Sequence, residues 1–510
     1  MKDIINKEGD RIHMNIPYLQ TGDRCIDKAF RIAVGDLVGN IHPLKKGLLP
    51  EERPVIYAGI HYVEPWTRDT AFNVWNGVSL IAPREAKDTI LSTINMTGGL
   101  ALVGAGEHNY WDAIICVIGF WEHYLQTGDL EFLRQCHRIA CDTIAHYENT
   151  EFDPCDGLFR GPACCMDAIS AYPDQLLYPI RERSDYFAVL GCIRIIPERE
   201  KPTKGYGLPF KALSTNCLYL RAYEILPEME AALGLEPSPE WLVKAVRLKQ
   251  AINKRFWLEK EGRYAYLVSL PNGPETCEHQ EALGHSFAIL FNVADEDRKA
   301  EVLKNQHLVE AGIPSIWPTF PRYAKLGAGV YGRASGPVWP HHQSFWAQAA
   351  LRNGRPDLFD REFRLMAAHA ERDSHFAEVL HPDTSEIYGG VQEINFTSKP
   401  RQTWCATGFI SLALRGLLGM DFQPGGITFT PYLPEGMENF ILSNLHYRGA
   451  VLRMRVSGRT ANKGCADMSG GIDRRPWRTR SFKVNGQERK EFFLAASETG
   501  DIEIAIELEK

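Results

Sequence analysis

"PHHQSFWAQ" at residues 340–348 and "DREFRLMAAHAERD" at residues 360–373 are near neighbours that follow opposite rules. In the second, Phe363, Met366, Ala367 and Ala370 recur every three or four positions among charged residues, which is a helix with one buried stripe. The first mixes aromatic, small and polar residues and has no charged face, which suits a helix enclosed nearly all round. This contrast repeats along the chain. Helical periodicity runs from about Arg24 to Met420 and predicts twelve helices. They begin near Cys25, Arg68, Pro83, Tyr110, Leu130, Pro209, Pro239, Gln280, Asp295, Pro340, Asp357 and Trp404. The even-numbered starts read "PWTRDTAF", "HNYWDAII", "LSTNCLYL", "HQEALGHSF", "PHHQSFWAQ" and "RQTWCATGF"; the odd-numbered helices are amphipathic. Six enclosed helices wrapped by six amphipathic ones make an (α/α)6 toroid whose inner N-termini converge on one mouth.

The period changes after Met420. "AVLRMRVSG", "SFKVNGQE" and "DIEIAIEL" alternate apolar and polar residues, and Asn485-Gly486 marks a hairpin. The expected organisation is an N-terminal segment 1–23, the toroid 24–420 and a small, sandwich-like antiparallel β domain 421–510. A long loop region, 150–208, interrupts the toroid, and loops of that length in compact domains usually carry function.

Composition narrows the function. A formal charge of -7 and the absence of a Lys/Arg run argue against a nucleic-acid partner. The first twenty residues hold no apolar signal segment, and no run of 18 apolar residues occurs, so a cytoplasmic protein without a membrane span is expected. Twelve cysteines are scattered without a CxxC pair, which points to reduced thiols rather than disulfides or zinc.

Several constellations could carry chemistry. In "EPWTRDT", Trp66 offers a stacking face, while Arg68 donates and Asp69 accepts, so the pair could hold two neighbouring sugar hydroxyls. The alternative is an acid at a helix N-terminus beside a solvated arginine. In "DGLFRGPACCMDAIS", Asp167 follows a run of apolar and small residues that would keep a carboxyl protonated, as a general acid must be; otherwise it is a helix cap. "SGPVWPHHQSFW" places Trp339, His341, His342 and Gln343 at one inner start. Adjacent helix residues diverge by about 100°, so the histidine pair is expected to line a pocket rather than bind metal. Trp111 and Trp404 stand at two further starts. "FAEVLHPDTSEIYGGVQE", residues 376–393, is broken by turn formers into a loop bearing Glu378, Glu386 and Glu393, which is either an ordinary solvated acidic loop or the carrier of a catalytic base.

The order of these stretches resembles the six-hairpin glycosidase superfamily over about residues 24–420. "W-x-R-D-T" is similar to glycogen-debranching α-glucosidases and glucoamylases. "CCMDA" and "GPVWP" resemble processing-α-glucosidase-I-type and mannosylglycerate-hydrolase-type enzymes. "AEVLHPDTSE" looks like their "E-x-Y-x-P-x-T-G" base motif, which trehalases share more loosely. Leu380 stands at the motif's tyrosine and Ser385 at its glycine, and "RASGPVW" lacks an arginine directly before the glycine. The resemblance implies an exo-acting, inverting hydrolase of an α-glucoside or related hexoside, with no cofactor and no metal. Asp167 would be the acid and Glu378 the base, with Glu393 lining the pocket and Glu386 facing solvent. Trp66, Arg68, Asp69, Trp111, Trp339, His341, Gln343 and Trp404 would hold an oligosaccharide or small glycoside. Two other readings remain at this point. One is a sugar 2-epimerase using His285, His341 and His342; the other is a non-catalytic carbohydrate binder.

Overall fold

The computed structural model describes residues 4–5, 11–12, 15–105, 111–166, 169–176, 210–270, 274–391, 397–459 and 477–510. Among them are twelve helices of nine residues or more, each starting within a few residues of its predicted position: α1 Arg24–Gly39, α2 Thr67–Trp75, α3 Pro83–Ser92, α4 Trp111–Thr127, α5 Leu130–Glu151, α6 Leu213–Ala232, α7 Pro239–Phe256, α8 Ala282–Leu290, α9 Glu296–Lys304, α10 Pro340–Arg352, α11 Pro356–Asp373 and α12 Thr403–Ser411. A single further turn, Pro321–Ala324, lies between α9 and α10.

The even-numbered helices form the inner ring. α2 packs on α4, α4 on α6, α6 on α8, α8 on α10, α10 on α12, and α12 closes on α2. Every residue of α2 and α12 is buried, whereas α5 and α7 bury one stripe each. The two sets also start differently. Outer helices α1, α5 and α9 are capped by Asp23, Asp129 and Asp295, whose carboxylates accept first-turn amide N–H groups. The residues preceding α2, α8, α10 and α12 are Trp66, Glu281, Trp339 and Gln402, and none of their side chains caps its helix. Those inner starts keep their side chains for other partners.

An aromatic plug fills the ring. Phe72 of α2 meets Trp75 on its own helix, Phe287 of α8, His341 and Phe345 of α10, and Trp404 of α12, with centroids 4.2–6.5 Å away. Small residues let the helices approach: a Cβ on Gly119 of α4 would sit 3.2 Å from the Ala71 backbone of α2. At the far end, Arg415 just after α12 pairs with buried Glu122 of α4 at 2.6 Å.

The β region forms two sheets. Met420–Gln423, Gly426–Phe429 and Phe493–Ala495 make one; the other runs Gln487–Glu488, Arg478–Val484, Gly500–Glu509, Ala450–Arg459, Asn439–Tyr447, Tyr18–Gln20. Pairing is antiparallel except between Ala450–Arg459 and Gly500–Glu509, which run parallel because the chain crosses over between them. The outermost strand comes from the N-terminal segment: Tyr18–Gln20 pairs with Ile441–Ser443, so this part of the segment belongs to the β region. Of the long loop region, residues 177–208 lie outside the described residues.

Phe72→Ala should lower unfolding free energy by about 3–5 kcal/mol, since it opens a cavity touched by three other inner helices. Phe72→Leu should cost markedly less. Urea denaturation followed by circular dichroism measures both; an equal, small loss would mean that the ring closes without the plug.

Candidate active site

The mouth gathers at the inner helix starts. Arg68 and Asp69, in the first turn of α2, are both buried. Arg68 donates to Asp112 Oδ2 of α4 at 3.0 Å, and its guanidinium lies 5.1 Å from the Trp66 ring and 5.8 Å from the Trp111 ring. Arg68 is thus fixed by one carboxylate and two aromatic faces. Asp112 was not foreseen, because an aspartate in a helix's first turn reads as an ordinary response to the helix dipole.

Glu378 forms a second wall, near enough to the first that its charge and that of Asp69 both reach Tyr62 and Cys405, and is only 3% exposed. Its Oε1 accepts from Arg333 Nη2 at 2.7 Å and from the Tyr62 hydroxyl at 3.3 Å; its Oε2 accepts from the Lys399 amide at 3.2 Å. Backbone bonds lock the stretch around it. Val338 and Leu380 exchange N–H···O bonds of 3.1 and 2.8 Å, Gln402 N–H donates to the Phe376 carbonyl at 2.9 Å, and Phe376 N–H donates to Asp36 Oδ2 at 2.8 Å. The "GPVW" and "QTW" stretches therefore hold the "AEVL" stretch directly. Leu380 is buried with Ala311, Val338 and Ala377, so an apolar contact replaces the motif's tyrosine. Ser385 has φ of 61°, the left-handed backbone that suits the glycine of the resembled motif. Glu386 is exposed.

Arg333 supplies the arginine missing from the position before Gly336. It reaches Glu378 from three residues upstream and lies 5.2 Å over the Trp339 ring. "YGRASGPVW" contained that signal. Tyr62 had none, since it sits in irregular chain before Trp66.

Stacked rings stand at the starts of α10 and α12. Trp404 stacks on His341 at 4.6 Å and 12°, and Trp339 stacks on His342 at 5.6 Å. Neither histidine has a well-aligned hydrogen-bond partner on either ring nitrogen among the described residues, and burial pushes His342 down to about 3 and His341 well below its usual range. Both are therefore neutral at pH 7. Gln343, expected in the pocket, donates instead to the Ala311 carbonyl and to Glu362 of α11, each at 2.9 Å, because two residues of helix rotate it about 200° from His341. His285 is likewise committed, bonding the Tyr264 carbonyl at 2.8 Å and Gln306 at 3.0 Å.

Asp167 and Glu393 lie outside the described residues. The turn just before Asp167 is described, and Met166 is buried there with its carbonyl bonded to the Tyr172 hydroxyl at 2.6 Å. The Cys165 thiol feels the charges of Arg68, Asp69 and Asp112, and the Cys405 thiol those of Glu378 and Asp69. Both walls and this turn thus surround one space. Among the described residues, no three His, Cys, Asp or Glu side chains gather where they could hold a metal ion. Two cavities of about 280 and 320 Å³ open at the opposite end, beside Arg352, Arg415 and Asp421, and contain none of the residues above.

The comparisons with known proteins agree with this architecture. Residues 189–404 match the mannosylglycerate hydrolase MGH1-like glycoside hydrolase domain, and residues 420–462 match the C-terminal domain of glycosyl hydrolase family 65. Over residues 189–404 the chain thus matches a glycoside hydrolase domain, and its inner and outer helices have the (α/α)6 toroid fold. Among solved structures it resembles a sialidase (15% identity, TM-score 0.61, 85% of this chain and 38% of that one). It also resembles a family 78 rhamnosidase from a Bacillus species (13%, 0.56, 87% and 42%). A third is the family 63 mannosylglycerate hydrolase of Thermus thermophilus in complex with glucose (16%, 0.54, 76% and 99%). The chain thus spans about two fifths of the first two and nearly all of the third. No curated protein matches it at the level of sequence.

Asp36 gives a pH test of how the Glu378 stretch is held. Burial pushes its carboxyl up to about 6 against the pull of its bond to Phe376 N–H. The folded state then favours the neutral acid, so this group's stabilisation is lost as pH rises from about 4, the unfolded value, to about 6. Relative to the native chain, Asp36→Asn should gain stability across that window, read as the difference in urea midpoints. A difference that does not change with pH would contradict the buried acid.

Proposed function

We propose that the protein is an exo-acting, inverting glycoside hydrolase that cleaves an α-glucoside or a related α-hexoside. The observation that carries the reading is Glu378. It is a buried carboxylate held by Arg333, Tyr62 and a backbone amide, and it shares the neighbour Cys405 with Asp69. Asp69 and Arg68 hold the outermost sugar, Trp66, Trp111, Trp339, His341 and Trp404 shape its apolar walls, and Glu393 lines the pocket.

Asp167 protonates the leaving oxygen while Glu378 takes a proton from water attacking the other face of the sugar ring. A single displacement of this kind inverts the anomeric centre and needs room for the water between the carboxyl groups, about 6.5–9.5 Å apart in such enzymes. Arg333 and Tyr62 aim the Glu378 carboxylate. No cofactor takes part. The neutral, buried histidines speak against the epimerase, which needs one histidine to arrive protonated. Among the described residues ten cysteines are unbridged and no helix is long and apolar enough to cross a membrane, which supports a reducing, cytoplasmic setting.

A panel of aryl α- and β-glycosides, read by aglycone release, tests the activity; an epimerase or a binder would release nothing. Asp69→Asn should lower turnover by orders of magnitude with little change in Tm. Asp167→Asn should lose about 10²–10⁴-fold on poor leaving groups and much less on glycosyl fluorides, which need no protonation. Glu378→Ala should be nearly inactive, with azide restoring turnover and giving a β-glycosyl azide from an α-glycoside. An active Glu378→Ala beside an inactive Glu386→Ala or Glu393→Ala would move the base elsewhere.

A further inference from the structure

Glu281 immediately precedes α8 and is fully buried. Its carboxyl folds back over the first turn, in space that only glycine leaves: a Cβ on Gly284 would lie 2.2 Å from Glu281 Oε2. That oxygen accepts from the Ser214 N–H at the start of α6 at 3.3 Å, and the Ser214 hydroxyl bonds the same carboxyl. Oε1 has no hydrogen-bond partner among the described residues. Ser214 Oγ in turn accepts the Cys164 N–H at 2.9 Å. The rest of the "STN" stretch clamps the same loop, Thr215 through the Pro162 carbonyl and Asn216 through both backbone groups of Phe159.

We propose that Glu281 is a positioning residue of the candidate active site: through Ser214 it braces against α6 the Ala163–Met166 turn, which lies beside Arg68, Asp69 and Asp112 and directly precedes Asp167 in sequence. The inference rests on the glycosidase reading for its catalytic consequence, though not for its structural one. Cys165 in that turn already faces Arg68, Asp69 and Asp112, so a shift of the turn is felt at the mouth. The titratable groups around Glu281 are Cys164 on the turn, Cys217 on α6 and His285 one turn along α8. Burial pushes both thiols well above their usual range and His285 down to about 4, so all three are neutral at pH 7. With no cation among them, burial pushes the Glu281 carboxyl up to about 8. As a neutral acid it satisfies Ser214 without an uncompensated charge. Above that pH the ionised form is a buried carboxylate lacking a counter-ion, and the brace loosens.

Two variants and two readouts decide. Relative to the native chain, Glu281→Gln should gain stability as pH rises from about 4, the unfolded value, to about 8, because it cannot ionise. It should also remove the fall in kcat above pH 8 that the native enzyme is expected to show. Glu281→Ala should lose about tenfold or more in kcat on aryl glycosides with poor leaving groups, with little change in KM, and far less on glycosyl fluorides. Glutamine should restore most of that loss. Native-like kcat in Glu281→Ala, or a Glu281→Gln protein with the native pH dependence of both unfolding and kcat, would overturn the assignment. A native protein that cleaves no glycoside would refute the function instead, and the unfolding comparison would still judge the brace.

Discussion

Everything at the mouth depends on the closure of six enclosed helices around Phe72. A helix buried on all sides has no solvated face on which to place charge, so its residues are mostly aromatic, small or neutral, and charges such as Arg68 and Glu122 are paired. The plug of Phe72, Phe287, His341, Phe345 and Trp404 ties four of the six helices together near their N-terminal ends. With those helices tied, Arg68, Glu281 and Trp339 have fixed positions relative to one another before any loop is considered, and Asp112 joins them through its bond to Arg68.

The inner starts put that closure to use. An outer helix such as α1 or α5 uses an aspartate to satisfy its own first amides. The inner starts give up this local bond and turn to neighbours instead: the Glu281 carboxyl to Ser214, the Trp339 ring N–H to the Arg333 carbonyl, and the Gln402 backbone N–H to the Phe376 carbonyl. The polar groups so assembled are not isolated. Arg68 has Asp112, and Glu378 has Arg333, so each of these buried charges on the two walls has an opposite partner within 3.0 Å. Leaving either partner out would strand a charge in a low-dielectric site, which is far costlier than losing a surface pair. The charged walls and the apolar floor are therefore one construction.

Most of the fold was legible because helical period and burial are local signals. All twelve helix starts could be placed from spacing, proline and turn residues alone. The Tyr18–Gln20 strand could not, since its partner lies over 400 residues away and three residues carry no period. The site divides in the same way. Glu378 and the Trp66–Arg68–Asp69 group sit in compact motifs. Tyr62, Asp112 and Glu281 act through long-range geometry, and each looks locally like an ordinary loop or helix-end residue. Gln343 shows the converse error: proximity in sequence to His341 suggested a shared pocket, while helical rotation sends it to Glu362.

The central claim is that the sugar binds where the inner helices begin, between the Arg68–Asp69 wall and Glu378. A crystal structure of the protein soaked with glucose or deoxynojirimycin tests this most directly. The account predicts a ring over Trp404, hydroxyls on Arg68 and Asp69, and the Glu378 carboxylate facing the anomeric carbon from the side opposite Asp167. A sugar bound instead in the cavities beside Arg352 and Arg415, with the mouth empty, would contradict it.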